Sequence, residues 1–139
     1  DVEGWTGRAS SILKSSVAKR THFLGEIPDS TREKLLAKAG CLLFPSRYES
    51  FGLVPLEAFV HGVPVIAADG GAIPEVVTHE ENGLIFPSGN SRELGRQVSR
   101  LLAEPELRRR LSEGAHKRVR QLSSRNMAVE SVSLYRQLL

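Results

Sequence analysis

Apolar residues in this chain occur in two patterns, short unbroken runs and stripes at helical spacing, and the two alternate along its length. Runs at residues 41–44, 64–68 and 84–86 read as strands covered on both faces, since a strand with one wet face would alternate apolar and polar positions. A run at 21–24, ending at Gly25, reads as a fourth strand. Leu35, Leu36 and Ala39 share one face of a helix. Asp29 or Ser30 caps its start, Glu33 completes a capping box with Ser30, and Gly40 closes it. Residues 53–60 form a compact helix ending near His61-Gly62, and Pro74 opens a short helix over 74–77. Asn82-Gly83 is a turn into the last strand. Beyond it, Leu94, Val98, Leu101 and Leu102 make one amphipathic stripe, and Leu107, Leu111, Ala115 and Val119 a second, with Pro105 between them. A final helix runs from about Met127 to Leu138, with Val129, Val132, Leu134, Tyr135 and Leu138 apolar.

This alternation predicts an α/β fold: a Rossmann-like parallel sheet of about four strands flanked by helices. The 139 residues read as one partial domain, with 1–20 the remnant of an upstream helical region and 91–139 the carboxyl-terminal helices. In open parallel sheets the ligand lies beyond the carboxyl ends of the strands. That points to the loops 24–30, 45–53 and 68–74, each rich in Gly, Pro or polar residues.

Composition narrows the chemistry. A single cysteine, Cys41, excludes a disulfide framework, and its apolar neighbours make it a buried structural thiol. His22, His61, His79 and His116 lack metal-ligand spacing, so neither a metal nor another cofactor is expected. His61 instead suits the terminal carbonyls of the helix it follows. No apolar stretch approaches the roughly 20 residues of a membrane span and no signal peptide opens the chain, which makes the cytoplasm, or the cytoplasmic membrane face, the expected setting. The formal charge of +3 hides an asymmetry: residues 1–90 carry net −3 and residues 91–139 net +6. The basic residues spread around helices rather than forming a stripe with aromatics. They read as solvated faces, not a nucleic-acid surface, although they also offer a peripheral contact to anionic lipid.

The informative segment is 45–59. Glu49 and Glu57 stand eight positions apart and flank Phe51-Gly52-Leu53 at the end of a buried strand. A helix starting at Gly52 or Leu53 turns its free amides and the positive end of its dipole outward, so a diphosphate can lie on the amides of Gly52, Leu53 and Val54. Gly52 has no side chain to block that approach. Glu57, one turn further in, stands roughly 6–8 Å away and can accept two hydrogen bonds from the vicinal diol of a ribose. Glu49, on the other side, can accept from the hydroxyls of a sugar. Gly70 and Gly71, a double glycine at a strand end, permit close backbone approach to the same ligand. Glu75 answers the dipole of its own helix.

The residues Pro45, Ser46, Glu49, Phe51, Gly52, Glu57 and Ala58, then Gly62 to Ala67, then Gly70, Gly71, Pro74 to Val77 and Asn82 to Leu84, follow a pattern that resembles the retaining glycosyltransferases of the two-lobed GT-B fold. These are the group 1 enzymes that include glycogen- and sucrose-synthase-like proteins and bacterial mannosyltransferases. The resemblance covers roughly residues 21–139 and implies the carboxyl-terminal, donor-binding lobe, incomplete here. It implies that Glu49 is the catalytic-site acid on the donor-sugar hydroxyls and that Ser50, Phe51, Gly52, Leu53 and Val54 hold sugar and diphosphate. Glu57 would hold the ribose, Gly25, Glu26 and Ile27 would frame the base, and Gly70 and Gly71 would form a donor loop. Transfer with retention and without a metal is implied, the leaving diphosphate being neutralised by basic residues and a helix terminus.

Two departures stand out. The Arg/Lys pair that contacts the diphosphate in the family belongs upstream, and Arg8, Lys14, Lys19 and Arg20 lie outside its motif. The segment 70–74 is one residue longer than the commonest spacing. The expectation is a donor-binding lobe inactive alone, its acceptor held by an amino-terminal lobe, and prone to self-association through an open sheet edge at 21–24. The alternatives are a non-catalytic module docking through its basic helices and a nucleotide-sugar epimerase-type domain.

Overall fold

The computed structural model describes residues 7–8 and 11–138, and within the last helix it leaves some side chains, Leu134 and Leu138 among them, outside the description. The chain divides into two compact units between Glu33 and Lys34. In the first, helix α1 (Ser15–Ala18) is closed by the Thr21 hydroxyl donating to the Val17 carbonyl at 3.0 Å. Residues 21–24 then run without regular structure, and Phe23 and Leu24 are exposed. The fourth strand expected there is absent: the segment pairs with no strand among the described residues, and a strand exists only as one member of a ladder.

Helix α2 (Asp29–Leu36) begins two residues earlier than a capping box on Ser30 requires. The amides of Thr31 and Arg32 donate to the Pro28 carbonyl at 2.9 and 3.1 Å, and Asp29 pairs with Arg32 at 3.0 Å. Ser30 therefore lies inside the first turn and caps nothing. At the other end the helix stops at Leu36, and turn bonds from Lys38 and Ala39 finish it, so Gly40 is not its closing residue.

The second unit holds a parallel three-stranded sheet in the order β1 (Leu42–Phe44), β2 (Val65–Ala68), β3 (Gly83–Phe86). Its register pairs Leu42 with Val65 and Val65 with Gly83. The four residues of β2 are all buried, as its unbroken apolar run demands of a central strand. Alternate side chains of that strand feed two cores. Val65 and Ala67 pack with Phe59, Ile73 and Val77 from helices α3 (Leu53–Val60) and α4 (Ile73–Val76) and the segment after it, while Ile66 and Ala68 pack with Leu84 and Phe86. The second core is covered by Leu101 of helix α5 (Ser91–Ala103) and Leu107 and Leu111 of helix α6 (Pro105–Gln121). Leu102, assigned to the same stripe, is 72% exposed: positions 101 and 102 sit about 100° apart on a helix, and only the first faces the sheet. The last helix, α7 (Ser124–Leu138), starts three residues before Met127, and Val129, Val132 and Tyr135 are exposed on it. No helix among the described residues is long and apolar enough to cross a membrane.

Helix α5 is tied to the turn before β3 by charge. Arg100 donates to Glu80, a residue held at φ 63°, and also to Glu104 at 3.2 Å. The hydrogen bond from Arg100 holds the Glu80 carboxyl below its ordinary value of 4.5. A carboxyl depressed on folding stabilises fully above the unfolded value and loses that contribution as pH falls through the folded one. Acid unfolding of the wild type between about pH 5 and 3 should therefore be steeper than that of Glu80→Gln. Parallel profiles would show that the pair contributes nothing.

Candidate functional site

Helix α3 begins directly at the mouth of the sheet, and Gly52 sets its start. The Gly52 backbone has φ 88°, a left-handed conformation that costs a side-chain-bearing residue roughly 1–2 kcal/mol. A Cβ there would meet Val76 Cγ2 at 3.3 Å and Ile73 Cδ1 at 3.6 Å. The glycine is thus required by backbone geometry and by packing on α4; its missing side chain points into the protein, not toward a ligand. No side chain caps the helix, and the amides of Gly52, Leu53 and Val54 donate to no acceptor among the described residues. Pro55 removes the next donor, so these three carry the positive end of the helix. Phe51, Leu53 and Val54 have exposed side chains around them.

Glu49 sits one step ahead, half-buried. Its carboxylate folds back onto its own loop, accepting from the Ser50 amide at 3.1 Å and the Phe51 amide at 3.4 Å. Those two amides, assigned to the donor from sequence, are therefore engaged by the protein's own acid, which leaves the helical amides beyond them open. The Glu49 carbonyl accepts from the Ala72 amide at 2.8 Å. Gly70 and Gly71 make that contact feasible. A Cβ on Gly70 would collide with the Arg47 carbonyl, and one on Gly71, at φ 61°, with the Glu49 carbonyl and with its amide at 2.8 Å. The double glycine brings two loops together backbone to backbone, so that the loop after β2 braces the loop after β1.

Glu57, on the second turn of α3, lines a groove of about 440 Å³ with Leu53, Leu56 and Val60 of its own helix and Val119, Leu122 and Ser123 at the end of α6. A carboxylate against an apolar wall is the arrangement that binds a ligand carrying both a hydroxylated and a flat apolar part. Gly25, Glu26 and Ile27 belong to the first unit, where Gly25 turns the chain at φ 60°. Among the described residues, no group of three or more His, Cys, Asp or Glu is placed to hold a metal. Burial pushes the Cys41 thiol up, which keeps it protonated and unreactive.

Asn82 was missed. It is buried, its side-chain oxygen accepts from the Thr78 amide at 2.8 Å, and its amide group donates to the Val76 carbonyl at 3.3 Å, which fixes the segment leaving α4. Asp69 is similar: at the end of β2 it accepts from the Ser88 amide at 2.8 Å. Asn82 reads in the sequence only as a turn residue within the 82–84 pattern, and nothing local in the sequence marks out Asp69.

Comparison with known proteins gives this arrangement a context. Residues 8–118 match the family described as glycosyl transferases group 1. The chain is 31% identical over 124 residues to a D-inositol 3-phosphate glycosyltransferase of Jonesia denitrificans, covering 89% of this chain and 29% of that protein. It superposes on the sucrose-phosphate synthase of Thermosynechococcus elongatus with a TM-score of 0.78 at 33% identity, covering 99% of this chain and 33% of that one. Anabaena HepE, solved in complex with UDP-glucose, gives a TM-score of 0.78 at 24% identity, covering 99% and 37%, a likeness of fold. The chain thus spans about a third of the length of these relatives, and its sheet and helices match the carboxyl-terminal lobe of the GT-B fold. With the paired acids, the glycine-started helix and the braced loops all lying inside the matched residues, the chain belongs to the group 1 glycosyl transferases.

Proposed function

We propose that this chain is the donor-binding lobe of a retaining glycosyltransferase, that it grips a nucleotide-diphosphate sugar, and that it is inactive without a second lobe that holds the acceptor. The observation that carries the reading is the uncapped start of α3. Three amides with no acceptor among the described residues, at the carboxyl ends of parallel strands, form a site for an anion. Glu49 ahead of them and Glu57 behind them suit the hydroxyls at the two ends of such a donor. The relatives' names are compatible: one structural neighbour was solved with UDP-glucose, and another is a sucrose-phosphate synthase.

In this scheme the bond between the anomeric carbon and the diphosphate oxygen breaks, and negative charge gathers on the departing diphosphate. The amides of Gly52, Leu53 and Val54 stabilise that charge, and they do so more strongly in the transition state than in the ground state. Glu49, in the same scheme, holds the sugar hydroxyls so that the acceptor oxygen enters on the face the diphosphate leaves, its hydroxyl proton passing to the departing diphosphate oxygen. Its carboxylate is already oriented by the amides of Ser50 and Phe51, so one oxygen is committed to position and the other is free to bind. Charge is neutralised by amides and basic groups, and no metal is invoked.

The test is a panel of UDP-, GDP- and ADP-sugars with the full-length protein, following both donor hydrolysis and sugar transfer. One donor should be consumed at least tenfold faster than the others, with the anomeric configuration of the product matching that of the donor. Failure to bind or consume any nucleotide sugar would overturn the reading.

A further inference from the structure

We propose that the opposite end of the sheet carries a second site, for a small phosphorylated sugar or polyol. A cavity of about 490 Å³ opens where β1 and β2 begin, between the segments holding Lys38, Gly40 and Gly62 and the first half of α6. None of its lining residues lies in the loop that holds Glu49 or on the helix that holds Glu57, and its volume is in the range of small-ligand pockets.

Charge gives the cavity its selectivity. Of the charged groups around it, Arg109 is committed to two carboxylates, Glu106 at 2.9 Å and Glu113 at 2.7 Å. Lys38 and Arg108 have no acidic partner among the described residues. Two uncompensated cations therefore face one hollow, while Arg96 and Arg100 on α5 each hold a carboxylate. A phosphomonoester, with three acceptor oxygens and close to two charges, matches that pair.

The rest of the lining selects the body of the ligand. Among the described residues no Phe, Tyr or Trp lines the cavity, which disfavours a ligand that needs a flat apolar wall for a base. The Ser112 hydroxyl and the Glu113 carboxylate, already oriented by Arg109, offer hydrogen bonds to hydroxyl groups instead. The wall is rigid. Gly62 turns at φ 66° against α6, where a Cβ would stand 3.0 Å from the Ser112 oxygen and collide with the His116 ring. The hollow thus brings cations and hydroxyl-binding groups together in one lining.

The experiment follows the backbone amides of Gly40, Gly62 and Ser112 by NMR in the full-length protein, titrated separately with glucose 6-phosphate, glucose and inorganic phosphate. Following these amides separates the cavity from any sugar-phosphate acceptor site elsewhere. Saturable shifts are expected with glucose 6-phosphate at lower concentration than with phosphate, and none with glucose. Lys38→Ala with Arg108→Ala should raise the midpoint about tenfold or more, and Arg92→Ala with Lys117→Ala, which removes equal charge elsewhere, should leave it within about twofold. Absent shifts, equal midpoints for phosphate and glucose 6-phosphate, or a response indifferent to the first pair would each overturn the proposal. Nucleotide affinity, measured alongside, reports on the front site separately.

Discussion

Replacing Gly71 by alanine is expected to destabilise the protein by about 2–4 kcal/mol and to displace the loop that carries Glu49. Two costs add. At φ 61° the new residue is held in a left-handed conformation. Its Cβ would also overlap the Glu49 carbonyl and lie 2.8 Å from the Glu49 amide, and neither is a flexible side-chain end that can swing aside. The backbone must move, and the bond from the Ala72 amide to the Glu49 carbonyl is lost. Denaturant unfolding of the full-length protein measures the first effect, and the affinity for the proposed nucleotide-sugar donor measures the second. A variant with wild-type stability and wild-type donor affinity would show that the two loops are not braced as described.

The second large effect separates the two acids. Glu57→Ala should weaken free nucleotide and nucleotide sugar by the same factor, about 10–100-fold, since a carboxylate hydrogen-bonded to a ligand contributes roughly 1.5–3 kcal/mol. Glu49→Ala should leave free-nucleotide affinity within about twofold while lowering kcat/KM by about 10²–10³. Glu49→Gln is the finer probe, because its amide oxygen can still accept from the Ser50 and Phe51 amides while the charge is gone. A variant that keeps the loop but not the rate places the charge, not the loop geometry, in the chemistry. Isothermal titration with nucleotide and nucleotide sugar, beside steady-state rates, distinguishes these outcomes. Equal losses for both substitutions on free nucleotide would contradict the assignment of separate ends.

Much of this was legible in the residue pattern. The unbroken runs at 64–68 and 84–86 became buried parallel strands because a strand covered on both faces has no polar positions to show, whereas the run at 41–44 became a strand of which no residue is fully buried. The helix start after Gly52 was visible because a glycine between a strand and an apolar helix offers the one conformation that turns the chain there. What stayed hidden depends on contacts between segments distant in sequence. That Gly70 and Gly71 lie against Arg47 and Glu49 is a fact about two loops some twenty residues apart. Leu101 and Leu102 satisfy the same spacing, and only the position of the sheet decides between them. The run 21–24 has strand-like residues, but a ladder needs a neighbour, and the described residues supply none. Ser30 and Glu33 have the spacing of a capping box, yet the Pro28 carbonyl takes the first helical bonds two residues too early. Among the described residues the edges of the sheet are accordingly β1 and β3, and 21–24 is not one of its strands.

The central claim is that three bare amides at one helix start receive a diphosphate. The most direct measurement is the chemical shift of the Gly52, Leu53 and Val54 amides in the full-length protein, during titration with the preferred nucleotide sugar and, separately, with the unphosphorylated nucleoside. The account predicts large, saturating changes at these three positions with the nucleotide sugar and little change with the nucleoside. Unmoved amides at saturating donor, or equal changes with a ligand that carries no phosphate, would contradict it.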